Sequence, residues 1–343
     1  MDGAPRAGFE RLMAEVGLQN GEDRMRQTIV VGVWIAIALL RAQSPSKAWT
    51  APRTPDGQPD LQGIWTNSTL TPLERTEEFR RQPVLTESEA AAYEKRIAVQ
   101  GSRDRRDGDP ETDVSRAYNE LFFDHGDKLA RVQNGIRTSM IVDPPDGKIP
   151  PLTAAGQERV EQARAYAKLH PADRAQDRSL TERCIYWATA GPPMLPGPYN
   201  NLYEIQQTPG YVTILSEMIH EVRIIPLDGR PHLPQSVHLW TGDSRGHWEG
   251  GTLVIETTNL TGKTRFRGAS ENLKVIERLT RLDANTLLYR FTIDDPATFT
   301  KPWTGELPFV ATAGPIYEYA CHEGNQALVD ILAGARVEER KSK

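Results

Sequence analysis

The 343-residue chain sets 41 Lys and Arg against 46 Asp and Glu, a formal net charge of −5, with 38% hydrophobic and 25% charged residues. That balance leaves no electrostatic footprint for nucleic acid and fits one large globular domain or two small ones. Twenty-seven Gly and 25 Pro predict many turns and extended connections.

Arg24 and Arg26 precede an apolar run at 28–40, and Leu40 and Ala42 suit cleavage before Gln43. The run is short for a bilayer span and matches a signal-peptide core, so 24–42 is expected to be a signal peptide. Residues 1–23 then read as a non-native extension ahead of a true start at Met25. Export to the periplasm or the extracellular space is expected, with no stable membrane span after cleavage; an uncleaved anchor is the alternative. The two cysteines, Cys184 and Cys321, are most simply a disulfide in an exported chain, against two buried thiols. No Cys-x-x-Cys pair occurs, which argues against redox catalysis and a zinc ribbon.

Residues 43–178 read as a helical and extended wrapping region. Pro and Gly punctuate 51–71, where Leu61, Ile64 and Trp65 are expected to pin an extended arm. Thr86 is an N-cap with Glu89 in the capping-box position, and Thr153 caps a second helix. The charged stretch at 101–116 has no apolar period and reads as a loop. A short strand before Pro144-Pro145-Asp146-Gly147 ends in a turn.

From 179 to 336 the texture is β-branched, aromatic and period-2. Hairpins are expected at Glu249-Gly250-Gly251 and Asp283-Ala284-Asn285. The expected fold is mainly β: an antiparallel lipocalin-like barrel, or a strongly curled meander. A polar tail occupies 337–343.

Gly242, Ser244 and Gly246 form a Gly-x-Ser-x-Gly pattern. A nucleophile elbow needs a helix after the serine, and a hairpin follows here, so Ser244 reads as a loop-fixing residue. The histidines say more, because four of seven fall between Met218 and Trp248. Alternation through "VTILSEMIHEVRII" sets Val212, Ile214, Met218, His220, Val222 and Ile224 on one face, predicting an inward His220. Glu277 shares a face with Leu273, Val275 and Leu279. It must meet an arginine such as Arg223 or Arg290, or line a cavity.

Together His220 and Glu277 would form an acid–base pair, with Glu217 and Asp243 as further catalytic candidates. Tyr199, Asn200, Asn201, Arg223, His238, Trp240 and Tyr289 are candidate ligand contacts. No cofactor is favoured. A divalent metal on His220, His232 and His238, helped by Asp243 or His322, is the alternative, although no tight His spacing supports it.

The strings "EMIHEVRIIPLDGRPH", "WTGDSRGHWEGGTLVIETTN", "ENLKVIERLTR" and "YEYACHEGN" resemble an abundant family of exported soil and marine bacterial proteins to which no reaction is assigned. The resemblance runs from about Pro55 to Arg336 and implies export without implying a reaction. The expected activity is cofactor-independent lyase, isomerase, cyclase or hydrolase chemistry on a small apolar or cyclic molecule. The alternatives are a non-catalytic small-molecule binder and a metal hydrolase.

Overall fold

The period-2 stretches do form strands, and most of them pair in one antiparallel sheet. The computed structural model describes residues 49–341, apart from 106–107, 116–119, 134 and 265. The expected extension at 1–23 and signal peptide at 24–42 lie outside the described residues.

In chain order the early strands are β1 (Gly63–Thr66), β2 (Val84–Leu85), β3 (Arg131–Val132), β4 (Gly135–Arg137) and β5 (Ile141–Asp143). The later ones are β6 (Leu202–Thr208), β7 (Tyr211–Ser216), β8 (Val222–Pro226), β9 (Asp243–Glu249), β10 (Thr252–Thr258), β11 (Lys274–Arg281), β12 (Thr286–Asp294) and β13 (Trp303–Thr312). The large sheet runs β8-β7-β6-β1-β13-β12-β11-β10-β9, and β5 adds a tenth strand against β13. Strands β2, β4 and β3 form a separate small sheet.

Alternation sets which face is buried. Leu287, Tyr289, Phe291 and Ile293 of β12 have no exposed surface, and neither do Val275, Glu277 and Leu279 of β11. Both expected hairpins form. Gly250 takes φ +59 in the two-residue turn between β9 and β10, a left-handed conformation that a glycine adopts without steric cost. Thr86 and Glu89 make the reciprocal capping box of α1 (Glu87–Gln100). The short helix α2 spans Pro110–Ser115. Thr153 accepts from Gly156 N at 3.0 Å to start α3 (Ala154–Leu169).

The sheet is not a closed barrel. Its end strands, β8 and β9, share no backbone ladder. They nevertheless lie against each other: a Cβ on Gly246 would fall 2.7 Å from Leu227 Cδ2 and 2.9 Å from Ile225 Cγ2. The meander is therefore curled until its ends touch along a side-chain seam. Inside the curl the aromatic rings pack on one another, with Tyr289 to Phe309 at 5.0 Å and Tyr203 to Phe309 at 5.3 Å between centroids.

The expected boundary at 178/179 is not a structural one. Residues from Ala51 onward form one compact unit. Strand β1 is inserted between β6 and β13, with Trp65 only 1% exposed. The extended arm thus completes the sheet instead of wrapping it, because β6 and β13 would otherwise face each other as unpaired edges. The expected polar tail is mostly helix, since α4 runs over Gln326–Lys341.

Cys184 and Cys321 are joined by a disulfide that closes 137 residues of chain. Replacing both cysteines by serine is expected to lower stability by about 3–5 kcal/mol, measured by urea unfolding. Gly246→Val should push β8 off β9 and cost about 1–3 kcal/mol in the same assay, whereas the same change at exposed Gly251 should not involve this seam.

Candidate functional site

Among the described residues the core holds one fully buried ion pair. Arg223 of β8 grips Glu277 of β11 in bidentate fashion, with Nη1 donating to Oε1 at 3.0 Å and Nη2 to Oε2. Tyr289 OH donates to the same Oε1 at 2.7 Å and accepts from Met194 N at 2.9 Å. Arg223 Nη2 also reaches Ser244 Oγ at 3.2 Å and Thr257 Oγ1 at 3.3 Å, and these two hydroxyls bond each other at 2.8 Å. Burial opposes the charge on Arg223, but the Glu277 carboxylate outweighs it and holds the guanidinium above its ordinary value. Burial first, and then Glu277, pushes the Tyr289 phenol well above its usual range.

This network accounts for the Gly-x-Ser-x-Gly pattern. Ser244 lies within β9, with its hydroxyl in the core bonded to Arg223 and Thr257, so it forms neither a loop nor a nucleophile elbow. Gly242, at φ +73, turns where a Cβ would meet Thr258 O at 2.6 Å, and Gly246 opens the seam. Arg223 and Tyr289, expected to contact ligand, are instead 5% and 0% exposed and spent on Glu277.

His220 and Glu277 are not brought together. The strand expected through "SEMIHEV" breaks after Ser216, and a turn with Ile219 at φ +59 and His220 at φ +45 precedes β8. The break resets the alternation. Arg223 and Ile225 now face inward, Val222 and Ile224 face solvent, and the His220 ring is exposed. Consecutive left-handed residues, one of them β-branched, are strained unless their surroundings hold them. Here Met218 and Ile219 are buried with Ala190 against Trp187, Tyr199 and Tyr319. The disulfide ties Cys321, two residues beyond Tyr319, to Cys184.

His220 Nδ1 lies 3.1 Å from the Tyr319 carbonyl oxygen and can only donate there, which leaves Nε2 as the basic nitrogen of the neutral ring. The neighbouring Glu221 accepts from Thr241 Oγ1 at 3.2 Å. Burial raises its carboxyl above the ordinary range, partly offset by Thr241, Arg223 and His220. Burial also pushes the Tyr319 phenol up to about 12, with Tyr199 adding to the shift. Glu221 is the functional candidate that alternation missed. Its only sequence signal is adjacency to His220, and it becomes relevant only once the strand is known to break.

The other candidates scatter. Glu217 is buried and accepts from Tyr317 N at 3.0 Å. Asp243 is held by Arg245 at 2.6 Å, His232 at 2.8 Å and Leu233 N at 3.0 Å, so it anchors the β8–β9 connection. His238 and Trp240 are exposed on that connection, and Asn200 turns at φ +55. Among the described residues no three His, Cys, Asp or Glu side chains converge as metal ligands, so His220, His232 and His238 do not form the alternative metal set.

An open cleft of about 680 Å³ lies beside the 194–198 loop. Leu70, Pro72, Leu73, Met140, Leu195 and Phe266 give it apolar walls, and His125, Thr189 and Arg267 are among its polar lining. The buried network fixes this loop from below through Tyr289 and Met194 N. Asn201 fixes it from the side, accepting from Gly197 N at 2.7 Å and donating to Gly197 O at 3.0 Å. Asn201, expected to touch ligand, is thus a brace for the cleft wall, and Tyr199 packs edge-on against Trp187 at 5.8 Å.

No protein-family profile, curated protein or solved structure matches the chain.

Two outcomes test these assignments. Glu277→Ala should cost about 3–5 kcal/mol in chemical unfolding by stranding a buried guanidinium, and Arg223→Met with Glu277→Met should recover much of the loss. A carboxyl raised in the folded state gives up stability as pH rises through its folded value. Glu221→Gln should therefore melt above wild type at about pH 7 and converge with it near about pH 4 in calorimetry.

Proposed function

We propose that the protein is an exported binder of small apolar organic molecules and that its ligand occupies the cleft beside the 194–198 loop. The observation that carries this reading is the cleft itself. Its volume of about 680 Å³ falls within the roughly 300–1,000 Å³ usual for small-molecule sites, and its walls are mainly apolar with few polar groups. The loop that forms one wall is braced by a buried network, so the site is largely preformed. Export is supported by the Cys184–Cys321 disulfide, since such bonds persist in oxidising compartments, and by the resemblance to exported bacterial proteins. No helix among the described residues is long and apolar enough to cross a membrane.

A second reading, acid–base catalysis, is favoured by the strained Ile219–His220 turn. There an imidazole with a free Nε2 stands next to the raised Glu221 carboxyl. In this form His220 takes a proton from a substrate carbon or hydroxyl and Glu221 returns one, with no cofactor.

Binding of the neutral fluorophore N-phenylnaphthylamine tests the first reading. Wild type should enhance its emission saturably. Leu70→Trp, which fills the half-buried cleft wall, should abolish the enhancement with the circular dichroism unchanged, and His220→Ala should leave it intact. An enhancement that ignores Leu70→Trp would sink the cleft assignment. Mass spectrometry of ligand co-purified from the native host separates the readings. The same compound on wild type and His220→Ala fits a binder, and an unprocessed precursor on His220→Ala alone fits catalysis.

A further inference from the structure

The polar groups of the cleft indicate what its occupant must offer. Thr69 Oγ1 donates to Lys128 O at 2.9 Å and accepts from Thr71 N at 3.2 Å. Thr71 Oγ1 donates to Arg137 O at 3.2 Å and accepts from Ala130 N at 2.7 Å. Thr264 Oγ1 donates to Thr261 O at 2.8 Å. His125 uses both ring nitrogens, on Glu120 Oε1 at 2.7 Å and Gly126 O at 3.0 Å. Two lining side chains remain uncommitted. Thr189 Oγ1 is buried without a hydrogen-bond partner. The Arg267 guanidinium has no hydrogen bond or ion pair among the described residues.

Arg267 is held in place from both sides. Phe266 is buried and stacks on Trp303 at 6.2 Å between centroids. Ala269 is buried and donates its N–H to Phe266 O at 2.9 Å, and Ser270 is tied to Asp295 through its N–H at 2.6 Å and its hydroxyl at 2.9 Å. Between these anchors Arg267 takes φ +52, a left-handed conformation that a long side chain adopts only when its flanks impose it. The backbone thus roots an exposed, unpaired cation at the edge of an apolar cleft. A guanidinium is donor-only and pairs best with a carboxylate.

We propose that the ligand is an organic anion: an apolar body whose carboxylate pairs with Arg267. This rests on the cleft reading above and adds the charge of the ligand to it. Two compounds with the same apolar body, naphthylacetate and naphthylacetamide, are competed against N-phenylnaphthylamine on wild type, Arg267→Gln, Arg267→Lys and Thr189→Val.

The carboxylate should bind wild type about tenfold or more tighter than the amide. Arg267→Gln should bring the two within about twofold by weakening the acid alone, Arg267→Lys should keep part of the preference, and Thr189→Val, which removes a hydroxyl with no accessible surface, should leave the preference unchanged. Equal binding of acid and amide to wild type, or a preference that survives Arg267→Gln, overturns the anion assignment and leaves the cleft reading standing. If neither compound nor the fluorophore binds folded wild type, the cleft reading falls and the anion assignment falls with it.

Discussion

The Arg223–Glu277 pair is the constraint on which the rest of the architecture turns. Arg223 lies on one end strand of the sheet, while Glu277, Thr257 and Ser244 lie on the last three strands at the other end. A guanidinium buried to 5% exposure must be paired, and its fork can satisfy a carboxylate and two hydroxyls at once. Meeting that requirement draws the two ends of the meander together where no backbone ladder joins them. Gly246 permits the approach by carrying no side chain into the seam. The same carboxylate accepts from Tyr289, whose hydroxyl holds Met194 N, so the core pair also sets the loop that walls the cleft.

Strain and its anchors mark both candidate sites. At Ile219 and His220 the left-handed backbone is held by the buried Met218–Ile219 cluster, with the disulfide fixing the segment that carries Tyr319 nearby. At Arg267 it is held by Phe266 on one side and by Ala269 and Ser270 on the other. In each case buried neighbours maintain a backbone conformation that an isolated chain would leave, and the root of a polar side chain is held at the surface as a result. The cleft has an apolar wall and an unpaired cation at its edge, whereas the His220 turn has a base and an acid beside a small aromatic cluster. This difference in chemistry is why binding is assigned to the cleft and proton transfer to the turn.

The secondary structure was largely legible because local patterns decide it. The capping box at Thr86 and Glu89, the Gly250-Gly251 hairpin and the inward faces of β11 and β12 each depend on residues within a few positions of one another. That a buried Glu277 needs a partner was legible too, because a carboxylate among aliphatics demands one, but the choice of Arg223 over Arg290 or a polar cavity was not. His220 was misplaced because alternation was carried through a turn that contains no Gly or Pro to announce it. Arg267 carried no signal, since an exposed arginine acquires meaning only when a cleft forms beside it.

By itself the sequence determined a mainly β chain, its hairpins and helix caps, and the single pair of cysteines that bond. These follow from backbone preference, side-chain periodicity and the scarcity of thiols, all of which are local or compositional. Only the tertiary structure decided that the Gly-x-Ser-x-Gly segment serves the core, that the arm at β1 completes the sheet, and that Glu221, not Glu277, neighbours His220. Those outcomes depend on which distant segments meet, and a single reversal of strand facing at the 217–221 turn reassigns every side chain of β8.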